Sequence, residues 1–360
     1  MKETASRLRI AASKARKLLT REGLMHLFAL AWSLPRTRMR IVQLARTARR
    51  RGLNLHLIVL CNQMGDLVAA EPAARNCKRD GELTAWVVCS DFAPLVRHLP
   101  YIDATVEITC PSEWILLERL IVGVKITNLH IDQHPCNWFG LHISNKTAFD
   151  IDFDNYYRRG NLLHAFSCQG LGVAIDERPR LACRQDSENA LRSRLPSYDQ
   201  LLASNFAAVN LTSTDASRSI SREQAQALVK YVRELCSIPI VEFGLNPLLD
   251  EDQDTVPLGG ALELDLQTTL LSSASFFVGV DSGFAHIANA AEIESLILMG
   301  RYRHFVNHMP YSGPWSHGQG CEILRSPHLV SDLRLDEMRP AVARLIERAG
   351  TCRTEPMAAR

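Results

Sequence analysis

The sequence predicts an α/β protein of two doubly wound, parallel-sheet domains in tandem. Three observations predict it. Short apolar runs bounded by turn residues alternate with segments of helical spacing, the pattern of βαβ units. That series restarts after an irregular polar stretch. The 360 residues, 46% of them hydrophobic, are enough for roughly two domains that each bury a core.

The elements follow in order. "LHLIVL" (55–60) suits a buried parallel strand, and "CNQMG" is its turn. Asp66 stands where a helix N-cap would, ahead of "LVAAEPAARNCKRD", and Pro72 restricts where that helix begins or bends. "TAWVVC" (84–89) reads as a strand, "DFAPLVRHL" as a short helix, and "ATVEI" (104–108) as a strand. "WILLERLIVG" reads as a helix and "ITNLHID" as a strand. The middle, 145–200, is less regular. There "GNLLHAFSCQGLGV" has helical spacing, and the polar run "CRQDSENALRSRLPSYDQ" marks the domain junction.

The second series opens with strand "NFAAVNL" (205–211) and continues through the loop "TSTDASRSI" and a helix over "SREQAQALVKYVREL". Strand "IPIVEF", a glycine loop at Gly244 and a helix over "LQTTLLSSA" follow. Then come strand "SFFVGV", a helix from Ser282, strand "SLILM" and the amphipathic tail "LDEMRPAVARLIERA". The expected organisation is a basic arm over 1–54, an N-terminal domain over 55–195 and a C-terminal domain over 196–350. The last helix is a candidate to pack back on the N-terminal domain. Ligands of such sheets lie outside the carboxyl ends of the strands, here in a cleft between the domains.

The net charge of +2 conceals an asymmetry. Residues 1–51 hold fourteen Lys/Arg against Glu3 and Glu22, a net of +12, which leaves −10 on the rest. The longest apolar run there, "LMHLFALAWSL" (24–34), falls short of the about 20 residues that span a bilayer. No A-x-A site follows it and "PRTRMR" does, which argues against a cleaved signal. Residues 1–51 fit a basic amphipathic arm on an anionic membrane surface. A solvated extension, or an arm for a nucleic acid or another partner, is the competing reading; nucleic acid is not the expected partner. Ten scattered cysteines without a C-x-x-C pair suggest reduced core thiols and a cytosolic setting. No G-x-G-x-x-G follows a strand and no Walker sequence is present, so dinucleotide and P-loop chemistry lose weight.

The most informative stretch is "FFVGVDSGFAHIANAAEIESLILMG" (276–300), where an apolar strand ends in Asp281-Ser282-Gly283 as a helix begins. A helix start presents unpaired N–H groups and a positive dipole end to anions such as phosphate. Gly283 allows close backbone approach, and Ser282 adds a hydroxyl. Asp281 would repel phosphate, so it suits the hydroxyls of a sugar. Helix capping explains Asp281 and Ser282 equally well. His286, one turn in, is either a ligand contact or a packed histidine.

Together these residues resemble a known family. "VGVDSGFAHIANAAEIESLILMG" resembles the D-[ST]-G-x-x-H-x-A-x-A signature of glycosyltransferase family 9, the heptosyltransferases. "VLCNQMGDLVAAEPAARNCKRDGELTAWVVC" resembles the family's opening strand and Gly-Asp turn, and "STDASRSISREQAQALV" its phosphate loop. The resemblance spans roughly 55–346. It implies a GT-B fold, two Rossmann-like domains facing across a cleft, and an inverting transferase that needs neither metal nor cofactor. It implies a nucleotide-sugar donor, ADP-heptose-like, on the C-terminal domain and a lipopolysaccharide or other surface-glycan acceptor on the N-terminal one. With the thiols and the basic arm read above, the expected setting is the cytoplasm, peripherally on the inner face of the membrane.

Carried over by residue, Asp66 after Gly65 is the general base, since an ordinary carboxylate is ionised at pH 7. Arg218 faces the donor diphosphate, where a fixed cation favours the transition state. Ser213 and Thr214 donate to the same phosphates. Ser282 and Gly283 take phosphate at the helix start, Asp281 a sugar hydroxyl, and His286 lines the donor side. The chain departs from the pattern in three places. Arg218 stands for the family's Lys, Phe284 for a frequent Pro, and "RYRHFVNHMPYSGP" follows Gly300 in place of Pro-Thr. His130, Asp132 and His134 have metal-like spacing on an expected strand face but read as structural. Two readings compete with transfer: a nucleotide-sugar epimerase of the same fold, and a non-catalytic sugar-nucleotide binding or assembly protein.

Overall fold

The computed structural model describes residues 20–136 and 138–350. The chain divides into two compact units, Met1–Gln63 with Ala70–Ile175, and Met64–Ala69 with Asp176–Arg360.

The first unit begins with a 30-residue helix, Arg21–Arg50, capped by the Thr20 side chain on the Gly23 N–H. Leu30, Thr37, Ile41, Leu44 and Ala48 recur at helical spacing and are buried. The last three enter one core with Leu57, Val59, Val87 and Val106. Residues 21–50 are therefore not an arm outside the domain, because this buried stripe needs the sheet to cover it. The arginines between its members hide the stripe in sequence. The N-terminal part of the expected arm, 1–19, lies outside the described residues. Glu113 fixes the helix further. Its carboxylate accepts from Ser33 Oγ at 2.7 Å, Thr37 Oγ1 at 2.6 Å and the Thr109 N–H at 2.8 Å.

The sheet of this unit is parallel, in the order β3-β2-β1-β4, with β1 Asn54–Val59, β2 Glu82–Cys89, β3 Ala104–Ile108 and β4 Lys125–Asn128. β1 and β2 are almost continuously buried, as parallel strands covered on both faces must be. The helix Met64–Cys77 follows β1 and is capped at Gln63, so Asp66 is its third residue and not its N-cap. Pro72 lies inside this helix. β4 ends at Asn128, which leaves His130, Asp132 and His134 in a loop and not on one strand face. There the His130 Nε2 accepts from the Cys61 N–H at 3.1 Å, and Asp132 accepts from the Asn145 N–H at 2.7 Å. The nine described cysteines are free thiols, all buried except Cys183.

The second unit holds a six-stranded parallel sheet in the order β10-β9-β8-β5-β6-β7. Its strands are β5 Ala207–Asn210, β6 Ile240–Glu242, β7 Thr255–Pro257, β8 Phe276–Val280, β9 Ser295–Met299 and β10 Cys321–Arg325. The edge strands β7 and β10 carry no clear sequence signal because they are short and half-exposed. The polar run assigned to the junction forms two helices, Ser187–Arg194 and Tyr198–Ser204, and the first packs on the helix Leu264–Leu271. Buried Leu191, Tyr198 and Leu201 hold the pair to the second unit, so the division falls after Ile175 and not at 195. The final helix, Leu335–Arg348, also belongs here. It packs on the helix Arg222–Leu235, β9 and β10, and Met338, Ala341, Val342, Leu345 and Ile346 enter this unit's core. Among the described residues, no helix is long and apolar enough to cross a membrane.

Candidate functional site

In the second sheet the strand order reverses between β5 and β8, which pair directly from Ala207↔Phe276 to Asn210↔Gly279. The loops after these two strands therefore emerge side by side at a topological switch point, where open α/β sheets bind ligands. They carry Ser213–Arg218 and Asp281–Gly283, so residues 63 positions apart in sequence meet.

Asp281 ends β8 and is buried. Its Oδ2 lies 3.4 Å from Arg218 Nη1 and 3.5 Å from His308 Nε2, and its Oδ1 accepts from the Tyr311 hydroxyl at 3.2 Å. Burial by itself would raise its pKa. The His308 ring and the Arg218 charge outweigh that and hold the carboxyl well below the usual carboxylate range. Arg218, largely covered, also lies over the Tyr302 ring at 4.9 Å. The result is a guanidinium fixed beside a helix start.

That helix is Gly283–Ala290, capped by Ser282, whose Oγ accepts from the Ala285 N–H and donates to Asn210 Oδ1 at 2.6 Å. Asn210 in turn donates to the Phe243 carbonyl at 2.8 Å. Thus Ser282 is both cap and structural link. Gly283 has a different reason from the expected one. A Cβ there would lie 2.1 Å from Met64 Cε, so the missing side chain makes room for methionine. Gly65 is closely packed too, since a Cβ would meet His286 Cδ2 at 3.0 Å. Met64–Ala69 belongs to this unit, and its packing brings the Gly65-Asp66 turn to the start of the helix. His286 is buried, and that burial drives its pKa down to about 4, so it is neutral at pH 7.

Of the residues singled out in the sequence, Arg218, Asp281, Ser282, Gly283, His286 and Gly65 come together, with Asp66 next to Gly65. Ser213 lies in the same loop, its N–H donating to Ser219 Oγ at 2.9 Å, and Thr214 is exposed. Sequence reasoning missed Asn210, Tyr302, His308 and Tyr311. The last three sit in "RYRHFVNHMPYSGP", the stretch that departs from the family pattern; the departure itself was the only signal.

A positive group at the switch point of a parallel sheet, beside a helix start, is an arrangement able to hold an anion such as a phosphate. Residues 245–328 match the sequence model of glycosyltransferase family 9 (heptosyltransferase). Solved structures agree in fold. A family 9 glycosyl transferase from Veillonella parvula DSM 2008 is 12% identical with a TM-score of 0.61, over 82% of this chain and 99% of that one. The ADP-heptose lps heptosyltransferase II of E. coli is 14% identical with a TM-score of 0.58, over 83% and 100%. The E. coli heptosyltransferase WaaC with ADP-2-deoxy-2-fluoro heptose is 13% identical with a TM-score of 0.51, over 81% and 99%. No curated protein matches the chain by sequence. The chain shares the fold of these structures, two Rossmann-like domains.

Proposed function

We propose that this chain transfers a sugar, heptose or one like it, from a nucleotide-sugar donor to a lipopolysaccharide or other surface-glycan acceptor, with inversion and without metal assistance. The observation that carries the reading is Arg218, held by Asp281 beside the start of the Gly283–Ala290 helix. As the sugar–phosphate bond breaks, negative charge grows on the leaving diphosphate. A cation already fixed there and a helix dipole stabilise that charge without reorganising. These supply the role a metal would otherwise take. Asp281 works through Arg218: its carboxylate is already engaged on both oxygens, so it positions the guanidinium in preference to receiving a sugar hydroxyl.

Asp66 serves as the general base that takes the proton from the acceptor hydroxyl while that oxygen attacks the anomeric carbon from the face opposite the diphosphate. Ser213 and Thr214 add hydroxyl donors to the phosphates, and neutral His286 lines the donor side. An ADP-linked donor is favoured because a structural relative is seen with ADP-2-deoxy-2-fluoro heptose. The acceptor is a glycan or glycolipid met at the inner face of the cytoplasmic membrane.

A thermal-shift panel of ADP-, GDP-, UDP- and CMP-sugars tests the donor class. The expected result is stabilisation by the ADP-sugar that Arg218→Ala abolishes. A protein stabilised by none of the four would overturn the reading.

A further inference from the structure

The helix Arg21–Arg50 spends one face on the first unit's core, through Leu30, Thr37, Ile41, Leu44 and Ala48. The opposite face is also apolar, and nothing described covers it. Met25, Phe28, Trp32 and Met39 follow one another at spacings of three, four and seven, so they share one line along the helix, and all are exposed. Phe28 is 76% exposed and Trp32 66%. Leu24 and Val42 flank the line and are exposed too. Farther along the same line come Arg46 and Arg50, while Arg36 stacks on the Trp32 ring at 3.7 Å. A surface helix needs one apolar stripe to fold on its domain; this one has two.

We propose that this outward face docks the protein on an anionic lipid bilayer, with the helix lying in the plane of the interface. Charge selects that occupant. From Arg21 to Arg51 the only acid is Glu22, against eight arginines, and the sequence of 1–19 adds six Lys/Arg and one acid. A second copy of this helix would set arginine against arginine with almost no counter-charge. Anionic headgroups supply the counter-charge, and the acyl boundary takes up Phe28, Trp32 and the methionines, as amphipathic interfacial helices do. Trp32 under its arginine is suited to the headgroup level, where a ring with one polar edge is at home. The docking face belongs to the first unit's own fold, and so it carries that unit to the surface as a rigid piece.

Deleting residues 1–51 is no test, because it removes Ile41, Leu44 and Ala48 from the core. The test is co-sedimentation of the full chain, without donor, with phosphatidylcholine vesicles that contain or lack about 30% phosphatidylglycerol. The wild type is expected to bind the anionic vesicles. Phe28→Ser with Trp32→Ser should lower the partition coefficient by at least about tenfold, since both rings leave the interface. Arg46→Gln with Arg50→Gln should lower it by about tenfold, and only on anionic vesicles. Val122→Ser, at an 87% exposed site outside this helix, removes a comparable exposed apolar group and should change nothing. Failure of the wild type to bind, or binding unaffected by Phe28→Ser/Trp32→Ser, overturns the proposal. So does a lipid-free dimer in sedimentation equilibrium that the same pair dissolves, which would assign the face to a second copy. Binding is read without donor, so a failed donor panel leaves this outcome interpretable.

Discussion

Glu113 in the first unit and Asp281 in the second are both buried carboxylates, and they are satisfied by different kinds of donor. Glu113 accepts only from neutral groups, two hydroxyls of the Arg21–Arg50 helix and one backbone N–H. Asp281 faces an arginine, a histidine and a tyrosine. Neutral donors fix a place: Glu113 clamps a helix to its domain, and its charge does nothing beyond that. Cationic partners turn a carboxylate into a means of holding positive charge at a chosen point. In this molecule the first arrangement builds the scaffold and the second builds the site.

The sharpest way to break this comparison is to remove the charges. Arg218→Met should cut turnover by about 10²–10³ and weaken donor binding with it, as loss of a transition-state cation does. Asp66→Asn should cut turnover by about 10²–10⁴ while donor affinity in calorimetry stays near wild type. Full turnover in Asp66→Asn on a true acceptor would remove the base assignment. Glu113→Ala should do the reverse. It leaves the Thr109 N–H without its acceptor and takes from the Ser33 and Thr37 hydroxyls their shortest hydrogen bonds, so urea unfolding should show a loss of about 3 kcal/mol, with donor affinity unchanged.

Next in size is the pH dependence of the second unit. The folded His286 takes up its proton near pH 4, below the ordinary 6.5, because it is buried. Between those values the unfolded chain binds more protons, so stability rises with pH from about 4 to about 6.5. The span is worth up to about 3 kcal/mol. His286→Gln should flatten that slope in denaturation curves taken across the range. Asp281 works at lower pH with the same sign, since its folded pKa is depressed: its stabilisation is present above the usual carboxylate range and disappears as pH falls through it. The smallest effect should come from Tyr311→Phe, which removes one hydrogen bond to Asp281. It is expected to cost about 1 kcal/mol of stability and raise the donor KM a few-fold. A KM unchanged in Tyr311→Phe would mean that Arg218 is held well enough by Asp281 and His308 alone.

Most of the interior strands were legible because a parallel strand covered on both faces must be apolar throughout, as "LHLIVL", "SFFVGV" and "SLILM" are. The edge strands β7 and β10 were not, since one side of an edge strand meets solvent and the apolar run is lost. The Arg21–Arg50 helix was read as an arm because its arginines dominate a linear count. Its buried stripe shows only when residues 30, 37, 41, 44 and 48 are placed on one face. At the site, the motif residues Asp281, Ser282 and Gly283 stood out, but their reasons did not. Gly283 looked like an opening for a ligand and Gly65 like a turn residue, and both pack closely, against Met64 and His286.

The sequence by itself determined the alternation of strands and helices, the split into two domains, the family resemblance and the small set of polar residues at strand ends. These follow from local periodicity and from residue types with few alternative uses. Only the tertiary structure decided which of those residues touch. It set Arg218 against Asp281 across adjacent strands, recruited His308 and Tyr311 from the stretch that departs from the family pattern, and gave the basic helix one face for the core and one for elsewhere. The physical reason is that hydrogen bonds, ion pairs and burial act over a few ångströms of space, while the partners they join here lie tens of residues apart along the chain.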